Sequence, residues 1–131
     1  MAITVKWENS AHTVIRCEFD VSWTWNDVFA MKREIESMMD TAEQPVTVLI
    51  QMHGKAFPES GTLTYTKHLF IHNHPKYANH VIFVGGSVLI KTFERIIRKA
   101  YVQSMCNIQS DYVDTLDGAH HLLDYKNGNG A

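Results

Sequence analysis

The sequence predicts a single α/β domain whose mixed, mostly parallel sheet opens with an antiparallel hairpin and is covered by helices. Three observations carry this expectation. Near the N-terminus two segments alternate apolar and polar side chains with the period of half-buried strands. Residues 46–50 and 81–84 are instead continuously apolar and rich in β-branched side chains, as in strands buried on both faces. Helical spacing of apolar residues follows the hairpin and recurs after each later strand. That alternation implies right-handed crossovers and parallel pairing.

In the first strand Ile3, Val5 and Trp7 point one way and Thr4, Lys6 and Glu8 the other. After a turn at Asn9-Ser10-Ala11, Ile15, Cys17, Phe19 and Val21 alternate with Arg16, Glu18 and Asp20, completing the hairpin. Thr24-Trp25-Asn26-Asp27 has the form of a capping box, so a helix begins there. Val28, Met31, Ile35, Met38 or Met39, and Ala42 form its apolar stripe, with Lys32, Arg33, Glu34 and Glu36 opposite. Gln44-Pro45 closes the helix and leads into the strand at 46–50.

Residues 51–60 are irregular, with Gly54 and Pro58 as breakers. A second helix is expected from about Ser60 or Thr62 to Asn73, closed by Pro75, followed by the strand at 81–84. A third helix turns Leu89, Phe93, Ile96, Ile97, Ala100 and Tyr101 inward. A short strand near 108–113 and a helix near 116–123 finish the order β-β-α-β-α-β-α-β-α. The domain is expected over 1–124 and a disordered tail over 125–131, which has no apolar anchor.

Composition narrows the function classes. A chain of 131 residues suits one core, and 45% hydrophobic with 20% charged residues is ordinary for a globular protein. A formal charge of −2 gives no electrostatic case for nucleic acid. The apolar runs are too short for membrane insertion, and a strand pattern from the first residues leaves no room for a signal peptide. Cys17 and Cys106 make no disulfide framework, so the expected compartment is the cytoplasm.

The hairpin ending in Trp23-Thr24-Trp25-Asn26-Asp27, the central strand before a polar loop, His74-Pro75, the 81–85 strand and Asp114-Thr115-Leu116-Asp117-Gly118-Ala119 occur in an order that resembles the STAS superfamily. The closer resemblance is to its SpoIIAA-like branch, akin to bacterial anti-sigma-factor antagonists, and it spans about residues 3–123. It implies a non-catalytic regulatory module that binds a partner protein or a small ligand. In anti-sigma-factor antagonists a serine or threonine after the third strand is phosphorylated to switch partner binding. Here that strand runs into Gln51-Met52-His53-Gly54, and Ser60-Gly61 comes several residues late, so no phosphoswitch is expected.

Other signals are weighed against simpler roles. His68 and His72 share a face of the expected helix, His74 follows, and folding brings His53 and His80 into consideration. Zinc requires three or four such ligands, but there is no His-Glu-x-x-His pattern and no acidic ligand nearby. No metal and no cofactor are expected. Gly85-Gly86-Ser87 with Lys91 and Arg95 outlines an anion site, yet it lacks a P-loop lysine, and a tight turn with Ser87 as N-cap explains it. Lys91, Arg95 and Arg98 form a stripe expected to be a solvated face. Cys17 faces inward as an inert thiol and Cys106 has no local His or Asp, so no catalytic residues are assigned.

Phe57 is the exception, a large aromatic in the loop Gly54-Lys55-Ala56-Phe57-Pro58-Glu59. The expected function is therefore protein binding through the loop after the third strand and the following helix, with His53, Lys55, Phe57 and Ser60 as contacts. A second copy of the chain is one candidate partner. The alternatives are an apolar or lipid-like ligand held between sheet and helices, and a metal-dependent enzyme using the clustered histidines.

Overall fold

The computed structural model describes residues 2–53, 74–85, 95 and 109–124. Their elements run β1 (Ile3–Trp7), β2 (Val14–Phe19), α1 (Trp25–Asp40), β3 (Val46–Met52), β4 (Tyr77–Val84), β5 (Gln109–Val113) and α2 (Leu116–Leu123). The helices expected from about residue 60 to 73 and after Gly85 fall on residues outside this set, apart from Arg95, which is helical and exposed. The tail expected at 125–131 lies outside it as well.

The strands form one sheet in the order β1-β2-β3-β4-β5. Only β1 and β2 are antiparallel, with Ile3 opposite Phe19 and Trp7 opposite Ile15. The remaining pairs are parallel, with Cys17 level with Ile50, Ile50 with Phe83, and Phe83 with Tyr112. The hairpin's second strand thus lies beside the central strand, as the order of elements implied.

Alternation along the strands divides the core between the two faces. On one face α1 lays Trp25, Val28, Met31, Ile35 and Met39 over Cys17, Phe19, Val48, Ile50, Val81 and Phe83. On the other, α2 sets Ala119 and Leu123 against Val14, Leu49, Ile82 and Val84. β3 and β4 lie under both layers, the physical reason for their unbroken apolar runs. Burying each large aliphatic side chain contributes roughly 1.5–3 kcal/mol, so these two layers provide the main stabilisation.

Local signals set the ends of the elements. The Thr24 side chain accepts from Asp27 N at 3.2 Å, and the Asp27 carboxylate accepts from Thr24 N at 2.8 Å, a complete capping box. Thr115 caps α2, accepting from Gly118 N at 3.1 Å. In the hairpin turn Asn9 Oδ1 accepts from the backbone of Thr13 and Val14 at 3.0 and 3.2 Å. His12 takes φ 58° there and stacks on Trp7, with ring centroids 4.5 Å apart.

Several boundaries differ from the sequence expectation. β3 runs on through Gln51 and Met52, expected to be irregular, because Glu18, Phe19 and Val84 still pair with them. β2 stops at Phe19, and Val21, expected to point inward, is 68% exposed. Asp20 accepts from Val21 N at 2.8 Å, so the chain bends and the alternation beyond Phe19 loses its meaning. α1 ends at Asp40 with Thr41 as C-cap, although Ala42 is still buried. β4 begins at Tyr77, four residues before its apolar run, because parallel pairing with Val46 supplies hydrogen-bond partners whatever the side chains are.

Candidate functional site

The polar side of the β1–β2 hairpin presents Thr4 and Lys6 beside Glu18 and Arg16. This row is the solvent half of the alternation that sends Cys17 and Phe19 into the core. Glu18 meets His53, the first residue after β3, with Glu18 Oε2 2.7 Å from His53 Nε2. His53 N donates to Phe19 O at 3.2 Å, so the β2–β3 pairing itself brings the two side chains together. Their side chains remain 37% and 44% exposed, respectively.

Electrostatics favour the charged form of Glu18. The His53 hydrogen bond, with slight burial opposing it and Arg16, His53 and Lys6 adding their positive charge, holds its carboxyl below the usual glutamate value. Glu18, Asp20 and His53 line an open groove of about 310 Å³, with Ala2 and Thr4 at its side. The groove lies beyond the carboxyl ends of β2 and β3.

A second polar cluster occupies the opposite end of the hairpin. Glu8 Oε2 lies 2.6 Å from His120 Nε2 of α2. Glu8 Oε1 lies 3.2 Å from Arg16 Nε, an ion pair too oblique to count as a hydrogen bond. Arg16 therefore stands between two carboxylates, Glu8 at one end and Glu18 toward the other. Beside Glu8 and His120 a groove of about 450 Å³ opens between the hairpin turn and α2, with Val14 and Leu123 as apolar wall.

Of the contact residues expected from sequence, His53 stands in this site, whereas Lys55, Phe57 and Ser60 lie outside the described residues. The histidines considered for a metal separate. His74 Nδ1 accepts from Lys76 N at 3.0 Å, so its Nε2 carries the proton toward Asp40 Oδ1 at 2.8 Å. His80 pairs with Asp111 at 2.7 Å, and Gln109 donates to the same carboxylate oxygen at 3.1 Å. His80 immediately precedes Val81, which is level with Val48, so at about 3.3 Å per residue it lies more than about 15 Å along the sheet from His53. His68 and His72 lie outside the described residues, among which no three His, Cys, Asp or Glu side chains are grouped to hold a metal ion.

Cys17 is sealed in the core, and burial, reinforced by the charge of Glu34, raises its thiol far above the usual cysteine value. Cys106, Gly86, Ser87, Lys91 and Arg98 lie outside the described residues, so the turn and stripe they were expected to form do as well. Among the described residues no helix is long and apolar enough to cross a membrane. The roles of Glu8, Glu18, Asp20 and His120 were not singled out from sequence. For Glu8, Glu18 and Asp20 the signal was the polar half of the hairpin pattern, which shows that they face away from one core but not which partners they meet, whereas His120 lies on α2. No family model, no curated protein and no solved structure matches this chain.

Proposed function

We propose that this chain is a non-catalytic, STAS-like binding module that engages a protein partner at the sheet edge where β2 and β3 end. The observation that carries the reading is the exposed Glu18–His53 pair over an open polar groove, with Asp20 beside it and the exposed Val21 next in sequence. A partner presenting a basic side chain to Asp20 and an apolar one to Val21 matches this chemistry. A binding role accords with the Cys17 thiol being sealed in the core, where it offers no nucleophile to this surface. Phe57 and Lys55 follow His53 within four residues in sequence.

The test is capture of the cellular partner with the full chain as bait. His53→Ala and Phe57→Ala should each leave stability within about 1 kcal/mol and weaken capture at least tenfold, about 1.4 kcal/mol. Undiminished capture by both variants would remove this surface from consideration. A second reading rests on the 450 Å³ groove beside Glu8 and His120, which is within the size range of small-molecule sites. Native mass spectrometry of protein from its own host distinguishes the two, since only the second predicts a retained small ligand.

A further inference from the structure

The inner hydrogen bonds of β1 reveal what its outer edge offers. Ala2 O accepts from Asp20 N, and Glu8 N donates to Val14 O, so the even-numbered residues of β1 face β2. Ile3, Val5 and Trp7 consequently turn their N–H and C=O groups outward. Among the described residues no strand pairs with that edge. An unpaired edge is a template for another strand unless charge, proline or a bulge blunts it, and the charge within β1 is Lys6 alone.

We propose that two copies of this chain pair through β1, antiparallel about a twofold axis at Val5, joining their sheets into one. In this register Val5 faces Val5 of the partner subunit, Ile3 faces the partner's Trp7, and Thr4 faces the partner's Lys6. Every outward residue enters a hydrogen-bonded pair, giving about six inter-chain bonds at two per pair. Lys6 meets a neutral threonine. One strand beyond that threonine lies Glu18, its register partner, so the cation approaches a carboxylate in the other copy.

Neighbouring registers are worse for identifiable reasons. A shift by two residues in one direction sets Lys6 against the partner's Lys6, a like-charge pair that destabilises an antiparallel sheet. The shift in the other direction leaves Trp7 without a counterpart inside the strand. The side chains agree with the central register as well. Between β1 and α1 a groove of about 80 Å³ runs past Ile3 and Val5, floored by Ala30 and Met31. Trp7, half-buried in the single chain, projects on that same face, so the partner's indole stands directly beside Ile3 at the groove.

Sedimentation equilibrium of the full chain, with amide exchange followed residue by residue, tests the pairing. A dimer is expected in which the Ile3, Val5 and Trp7 amides are protected and lose protection on dilution. Thr4→Lys opposes two lysines across the axis and should weaken the dimer at least tenfold. Adding Lys6→Glu to it restores opposite charges and should recover the dimer. Circular dichroism and thermal melting confirm that both variants are folded. A monomer at every concentration overturns the proposal, whether those amides are unprotected or are covered by the chain's own segments. A dimer that leaves them unprotected, or that T4K with K6E fails to restore, overturns it too.

Discussion

His120 and Glu8 stand 112 positions apart in sequence, yet His120 Nε2 lies 2.6 Å from Glu8 Oε2, joining α2 to the end of the hairpin. Glu8 also holds Arg16, whose side chain is only 14% exposed. The two partners of Glu8 therefore differ in what their loss would cost. His120→Ala, at a solvent-facing position, should cost about 0.5–1.5 kcal/mol in urea unfolding. Glu8→Ala removes the nearer counter-charge of a nearly buried guanidinium, with Glu18 still toward its other end, and should cost about 1–3 kcal/mol. Combining it with Arg16→Met should recover part of that loss.

At the start of α1 the Thr24–Asp27 capping box is reciprocal, so its two halves should not be additive. Thr24→Ala should cost about 1 kcal/mol, and Asp27→Ala should add less in its presence than alone. Equal, additive losses in denaturant titrations would count against the reciprocal arrangement.

Gly85 carries a stricter requirement. Its φ is +73°, and a Cβ added there would lie 3.0 Å from the backbone oxygen of Met52. Both the left-handed conformation and the close approach oppose any side chain. Gly85→Ala should therefore lower stability by about 1–3 kcal/mol, measured by thermal or urea unfolding.

The pH dependence of Glu18 follows from the sign of its shift. Its folded-state pKa is lowered chiefly by the His53 hydrogen bond, so its contribution is present above the unfolded value of 4.5 and is lost as pH falls through the folded value. Because the pair is exposed, solvent screening keeps the effect below about 0.5 kcal/mol. Glu18→Gln should therefore lower stability slightly above about pH 5, where the parent's contribution is present, and leave it unchanged at strongly acid pH, so that the acid limb of the profile becomes shallower.

Cys17 offers a chemical probe of the core. A fully buried thiol with a raised pKa supplies almost no thiolate at neutral pH. Alkylation followed by peptide mapping should label Cys17 only after unfolding, at a rate governed by opening of the domain. Rapid labelling in the native protein would place the β2–α1 layer in a looser state than described here.

The sequence by itself determined the elements whose signals are local. Alternation through Ile15, Cys17 and Phe19 marked a strand and its buried side, Thr24 and Asp27 marked a helix start, and the apolar run at 46–50 marked a strand covered twice. Each rests on neighbours within a few residues, where backbone period and side-chain polarity act together. Tertiary structure decided what those signals leave open. It ended β2 at Phe19 and exposed Val21, because a strand lasts only while a partner strand accompanies it. It sent His53 to Glu18, His74 to Asp40 and His80 to Asp111, separating three histidines considered together from sequence, and it brought His120 to Glu8. Such pairings depend on strand register and helix docking, where one residue of slip redirects every side chain. The hydrophobic layers choose that register, and the polar side chains meet whichever partners it sets opposite them.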